Sequence, residues 1–419
     1  MINKNILSWL NNQKKKQLLT VEKINLSKLS KWIYSKREIY HTSKKFFKIA
    51  GIRIQSNFYN RKNWDQPIIV QNEIGILGII KNIKTNKYLL QAKVEPGNIN
   101  KIQISPTVQA TRSNYSRIHG GKTIPFLKYF KRKNKNFSLQ TEQAFRYYNK
   151  KNSNIIKYIS KKIDIDEKFR WFSKIEIFNL LKERNLINMD TLSVFSSFIK
   201  KKKIDFPLNN KKKLIYWKNS LNKKYFLKNK IISLSSVKNW NLKNKIYHQT
   251  NNYFSVIGIK VKTNKREVME WCQPIIKGSK MAFVGYLIKK FKNTNHYLCR
   301  YILKPGSKVG TFTCSVNTSK LKNYKKSKDL TNFQKNLISK YFIKSKDVLY
   351  DNVLSDEGGR FYHSQIKYMA CKLNKNQKID LPDCYIWLSQ NQIIDLINKQ
   401  KIDIEARLLF GIINFKETI

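Results

Sequence analysis

The sequence predicts an α+β fold built from two tandem, duplicated domains, each a mixed or antiparallel sheet with flanking helices. Three observations carry this. A hexapeptide recurs in the two halves of the 419-residue chain. Short apolar runs of strand length end at Pro-Gly turns in both halves. Each half then closes on a segment whose apolar residues fall at helical spacing behind a Ser start signal.

The repeat sets the domain organisation. Trp64-Asp65-Gln66-Pro67-Ile68-Ile69 returns as Trp271-Cys272-Gln273-Pro274-Ile275-Ile276, a shift of 207, which Gly78 and Gly285 keep. Tyr88-Leu89 and Pro96-Gly97 match Tyr297-Leu298 and Pro305-Gly306 at 209. Glu142 aligns with Glu357 and Tyr147 with Tyr362 at 215, Trp171 with Trp387 at 216, and Asn188-Met189-Asp190-Thr191 with Asp403-Ile404-Glu405-Ala406. A shared order with a slowly drifting shift is the mark of duplication. The expected units are a basic helical arm over 1–45, a first repeat over 46–200, a basic linker over 201–250 and a second repeat over 251–419. The linker opens on four Lys, yet Trp217, Tyr225, Phe226 and Trp240 give it apolar anchors, so it should lie on the domains and not swing free.

Within each copy, 48–54 and 253–261 partly alternate apolar with other residues, and 88–94 and 297–303 are strand-like runs stopped by Pro-Gly. The segments 172–181 and 388–397 read as helices.

Charge is the unusual quantity: 84 Lys plus Arg against 26 Asp plus Glu, or +58. Taken alone this points to a polyanionic partner. Lys supplies nearly all of the excess, is scattered along the chain, and coexists with abundant Asn, Ile, Phe and Tyr and only seven Ala. That is the pattern of an AT-rich coding bias, and no specific nucleic acid is expected. Five Cys without a CxxC pair argue against a disulfide framework or a zinc site. No stretch reaches the ~18 apolar residues of a membrane helix, so a soluble, cytoplasmic protein is expected.

Chemistry concentrates in the first copy. On a strand Gln91, Lys93 and Glu95 share one face, and a Lys beside a carboxylate tunes proton affinity; the alternative is a structural ion pair. Downstream come Gln109, Thr111, Arg112, Ser113, Asn114, Tyr115, Arg117, His119, Gly120 and Lys122. Planar Arg donors and approachable glycine backbone suit a diphosphate, and an RNA equally. His119 titrates near neutrality and is a candidate acid or base. The second copy lacks this loop and carries Glu357-Gly358-Gly359-Arg360-Phe361-Tyr362-His363. There is no P-loop, dinucleotide fingerprint, nucleophile elbow or metal-protease motif.

WDQPII, QAKVEPGN, SPTVQATRSNY and HGGK in the first copy, FRWF and NMDT at its end, then WCQPII, EGGRFYH and IDIEAR resemble the NDP-hexose 2,3-dehydratases of deoxysugar biosynthesis, over about 46–419. The resemblance implies a homodimer of subunits with two Nudix-like domains, without the Nudix metal helix. It implies dTDP-4-keto-6-deoxy-D-glucose as substrate, loss of the C2 hydroxyl and C3 hydrogen, and a 3,4-diketo-2,6-dideoxy product handed to a partner 3-ketoreductase. Such chemistry calls for an acid and a base but neither a redox cofactor nor a metal. Glu95, Tyr115 and His119 become the acid or base candidates. Arg112 and Arg117 fall on the diphosphate, with Trp64 or Tyr115 against thymine. Gln66, Gln91, Lys93, Gln109, Thr111, Ser113, Asn114, Gly120 and Lys122 complete the pocket, joined by Glu357, Arg360, Tyr362 and His363. The competing readings are a nucleic-acid-binding protein and a sugar-nucleotide-binding paralogue without turnover.

Overall fold

A computed structural model describes residues 4–116, 118, 120, 122–131, 136–279, 281–319, 321–374 and 376–418. It is α+β, with four sheets and few helices, and every sheet of one half has a counterpart in the other.

One pair of sheets is seven-stranded. In the first half Gly75–Asn82 runs parallel to Lys151–Ile159 and antiparallel to Lys87–Val94. In the second half Ala282–Phe291 stands in the same way between Gln365–Lys372 and Thr294–Ile302. The strands predicted over 88–94 and 297–303 are therefore the middle of each sheet. They are buried on both faces, which explains their nearly unbroken apolar runs. The predicted helices are present: Lys174–Leu180 is capped by Ser173 and Gln390–Asn398 by Ser389, each through a full capping box.

The other pair of sheets is six-stranded and exchanged. Leu19–Ile24, from the stretch expected as a helical arm, pairs along Ser255–Thr263 of the second copy. Leu227–Ile232, from the expected linker, pairs along Lys48–Ser56 of the first. Ahead of each copy the same elements come in the same order: a helix (Lys4–Lys16, Lys211–Lys224), the exchanged strand, a 3-10 turn, and two short strands, the second reading Ile-Tyr-His in both. The duplication takes in both segments, and the halves are interlocked.

One register differs from the sequence alignment. Tyr147 lies opposite Ile69 and Phe361 opposite Ile276. Ile69 and Ile276 keep the shift of 207, so here the shift is 214 and not 215. Tyr147 corresponds to Phe361, Arg146 to Arg360, and Gln143 to Glu357. At this shift Gly358-Gly359 stand against Ala144-Phe145, with no shared residue to mark the register.

The largest apolar cluster runs through both halves. At its centre the helices Met189–Ser196 and Ile404–Ile413 touch. Arg407, fully buried, donates to the Ser193 carbonyl at 2.8 Å and to the Ser196 hydroxyl at 2.9 Å. The Pro-Gly turns interlock as well: the Gly97 N–H donates to the Gly358 carbonyl at 2.7 Å, and the Gly306 N–H to the Ala144 carbonyl at 2.6 Å. A Cβ at Gly97 or Gly306 would fall 1.9 or 1.8 Å from a backbone oxygen of the opposite copy. Both positions are thereby confined to glycine.

Candidate active site

Each crossing turn carries the end of one copy's central strand into a cavity walled by the other copy. The cavity at the first copy's turn has a volume of about 830 Å³, within the ~300–1,000 Å³ usual for ligand sites. Its counterpart in the second copy holds about 260 Å³.

The floor of the larger cavity is the strand Lys87–Val94 and its turn. Lys93 and Glu95 lie side by side as the alternation required, Nζ to Oε1 3.3 Å. Gln109 bridges them, accepting from Lys93 at 2.9 Å and donating to Glu95 Oε1 at 3.0 Å. Asn188, the N-cap of the Met189–Ser196 helix, donates to Glu95 Oε2 at 3.1 Å. Glu95, 3% exposed, is thus a buried carboxylate with a donor on each oxygen. Burial lowers the proton affinity of the Lys93 ammonium, against the pull of Glu95.

The second copy contributes an opposing carboxyl. Trp271 donates through its indole to Gln273 Oε1 at 2.8 Å, and Gln273 donates to the Gly359 carbonyl at 2.8 Å. This is the structural meaning of the repeated Trp-x-Gln: it holds the loop that carries Glu357 and Arg360. Trp64 and Gln66 do the same for the Phe145 carbonyl in the first copy. Glu357 accepts from the Tyr147 hydroxyl at 3.0 Å and from the Gly359 N–H at 3.0 Å. Burial, with Glu95 and Glu142 nearby, raises it to about 7 in spite of Arg360. Burial and the same set of carboxylates hold Asp190 well above the ordinary range. Arg360 lies 4.1 Å over the Phe47 ring, and its Nε is buried without a hydrogen-bond partner among the described residues.

The mouth is also shared. Arg266 donates to the Val94 carbonyl at 2.8 Å, and the Glu267 carbonyl accepts from the Lys122 N–H at 3.2 Å. Burial opposes ionisation of Glu267, yet Arg266 and Lys93 bring it down to about 2. Trp32, His41 and Lys28, from the N-terminal segment, close the remaining wall.

Among the predicted site residues, Lys93, Glu95, Gln109, Thr111, Asn114, Glu357 and Arg360 line this one cavity. Trp64 and Gln66 line the smaller cavity instead, because each Trp-x-Gln strand faces the other copy's sheet. Gln91 is turned to the carbonyls of Pro106 and Thr107. Ser113 is tied to Glu73. Arg112 is exposed, and Tyr115 packs against an apolar cluster, both outside the cavity lining. Tyr362 and His363 stack on one another at 4.1 Å, away from both cavities. Gly120 adopts a positive φ of 68°, with open space among the described residues where a Cβ would stand. Arg117 and His119 lie outside the described residues. Sequence reasoning passed over Arg266, Trp271, Asp190, Glu142 and Tyr147. The repeated hexapeptide was the available signal for Trp271; no sequence signal marked the crossing of the copies. Among the described residues no group of three His, Cys, Asp or Glu is arranged to hold a metal ion, and no helix is long and apolar enough to cross a membrane.

Comparison with known proteins decides the family. The model of the NDP-hexose 2,3-dehydratase family matches residues 3–198 and 211–413. The chain belongs to this family. The matched spans reach into both exchanged segments, in keeping with the doubled order of elements. The chain is similar to proteins named dTDP-4-dehydro-6-deoxy-alpha-D-glucopyranose 2,3-dehydratase. The one from Saccharopolyspora spinosa is 29% identical over 96% of this chain and 89% of its own length. The one from Streptomyces violaceoruber is 30% identical over 89% and 88%.

Proposed function

We propose that this NDP-hexose 2,3-dehydratase homologue removes water from dTDP-4-keto-6-deoxy-D-glucose in the cavity at the Glu95 turn. The observation that carries the reading is the cross-copy cavity itself. It joins a donor-stabilised carboxylate, a second carboxyl of raised proton affinity, and the unpartnered Nε of Arg360 in one buried space large enough for a sugar nucleotide.

The C4 ketone acidifies the C3 hydrogen, so the chemistry needs a base at C3, an acid at the departing C2 oxygen and donors for the developing charge. Glu95 is the base in this reading, and Lys93, 3.3 Å from it, is the nearby cation for the C4 oxygen. Arg360 and Arg266 take the diphosphate, with Trp271 or Trp32 against thymine. Arg112, given that role from the sequence, yields it because it is exposed.

The finer expectations are kept as part of the reading: a Nudix-like ancestry for each copy, supported by the mixed sheet with a parallel central pair; a cytoplasmic homodimer; and a 3-ketoreductase that consumes the diketo product. Purified protein with dTDP-4-keto-6-deoxyglucose, a 3-ketoreductase and NADPH should oxidise NADPH. Neither oxidation nor release of dTDP would overturn the assignment.

A further inference from the structure

The second copy's loop brings Glu357 to the first copy's Glu95. Gly359 stands between them: a Cβ built there would lie 2.4 Å from Glu357 Oε1 and 3.9 Å from Glu95 Oε1. The carboxyls face one gap, and glycine keeps it open. Their surroundings differ. Glu95 receives donors on both oxygens, from Gln109 and Asn188, with the Lys93 ammonium 3.3 Å away. Glu357 receives a neutral hydroxyl and one backbone N–H, and shares its buried space with other carboxyls.

We propose that Glu95 and Glu357, one from each copy, are the catalytic acid–base pair of the dehydration. This rests on the function proposed above. Glu95 takes the C3 proton, and the electrons of the broken C3–H bond form an enolate on the C4 ketone. The enolate collapses, C2=C3 forms, and the C2–O bond breaks. The oxygen leaves with the bonding electrons, takes the Glu357 proton and departs as water. The pair is then reversed, Glu95 protonated and Glu357 ionised. The 3-hydroxyl of the enol next gives its proton to Glu357 while C2 takes a proton from Glu95, so the 3,4-diketo sugar forms and both carboxyls return to their starting states. The proton affinity of Glu357, raised to about 7 by burial, suits a group that must both hold and release a proton near neutrality. In the smaller cavity Gln143, from the first copy, takes the place of Glu357, and at the second copy's turn Lys304 stands where Glu95 does, so that cavity has neither member.

Exchange of the C3 hydrogen in D2O and formation of product separate the two roles. Glu357→Gln is expected to retain C3 exchange and to lose dehydration by about 100-fold or more, and Glu95→Gln to lose both. Unchanged dTDP affinity in each variant shows an intact fold; if Glu357→Gln does not fold, Gly359→Ala, which crowds the same carboxyl, is expected to give the same split. Dehydration by Glu357→Gln or its substitute within about threefold of the wild type, or C3 exchange by Glu95→Gln, overturns the pair while the functional reading stands. Wild-type protein that neither exchanges C3 nor dehydrates overturns that reading and the pair with it.

Discussion

Glu95 and Lys304 occupy the same position in the two copies, each immediately before an interlocking Pro-Gly turn, and they carry opposite charges. Glu95 opens onto the large cavity. Lys304 is instead locked into an ion triad, 2.7 Å from Asp403 and 3.3 Å from Glu405, all three nearly inaccessible. The duplication was followed by divergence at this position: a carboxylate facing the large cavity in one copy, a cation held in an ion triad in the other.

Removing that cation should affect stability and not chemistry. Lys304→Met leaves two carboxylates buried without their partner, a loss of about 3–5 kcal/mol. Denaturant unfolding measures it. Activity per folded molecule should hold, and a loss below about 1 kcal/mol would show that the triad is not structural.

Two glycines should respond differently. Gly97→Ala collides with the Phe361 backbone oxygen and should destabilise the crossing of the copies. Gly359→Ala meets the mobile end of the Glu357 side chain, so thermal stability should change little while turnover falls at least tenfold. Equal thermal losses in the two variants would contradict this.

Substrate affinity should follow the cross-copy wall. Arg266→Ala and Trp271→Ala, both from the second copy, are expected to raise KM. For Arg266 the rise is about 10- to 100-fold, given ~1.5–3 kcal/mol for a hydrogen bond to a charged group. Trp64→Ala and Arg112→Ala should leave KM within about threefold. The opposite ranking would return the nucleotide to the position that the sequence alone implied.

The pH dependence follows from the role proposed for Glu357: as the acid it must be protonated. Glu95, Glu142 and the Tyr147 hydroxyl face it, and Arg360 opposes burial's effect. Turnover should be level below about pH 7 and fall roughly tenfold per unit above it. A rate that rises through pH 7 would make Glu357 a base.

Much of this was legible in the residues. The repeat, the central strands, the Ser-capped helices and the Lys93–Glu95 pairing follow from periodicity and turn chemistry, which are local. The partner of each wall was not. Leu19–Ile24 and Leu227–Ile232 look like parts of an arm and a linker because nothing in a strand's own sequence names the strand it pairs with. The same limit hid which cavity Trp64 and Gln66 line. Their motif was seen twice, but which copy faces Glu95 is decided by the crossing of the Pro-Gly turns. Arg112 was favoured for its type and neighbours, while its exposure is a tertiary property.

The central claim is that one cavity, made by both copies, holds the nucleotide sugar. A crystal structure with dTDP tests it most directly. The nucleotide is predicted in the Glu95 cavity, its diphosphate on Arg360 and Arg266 and its base against Trp271 or Trp32; nucleotide found solely in the cavity lined by Trp64 and Gln66 would contradict the account.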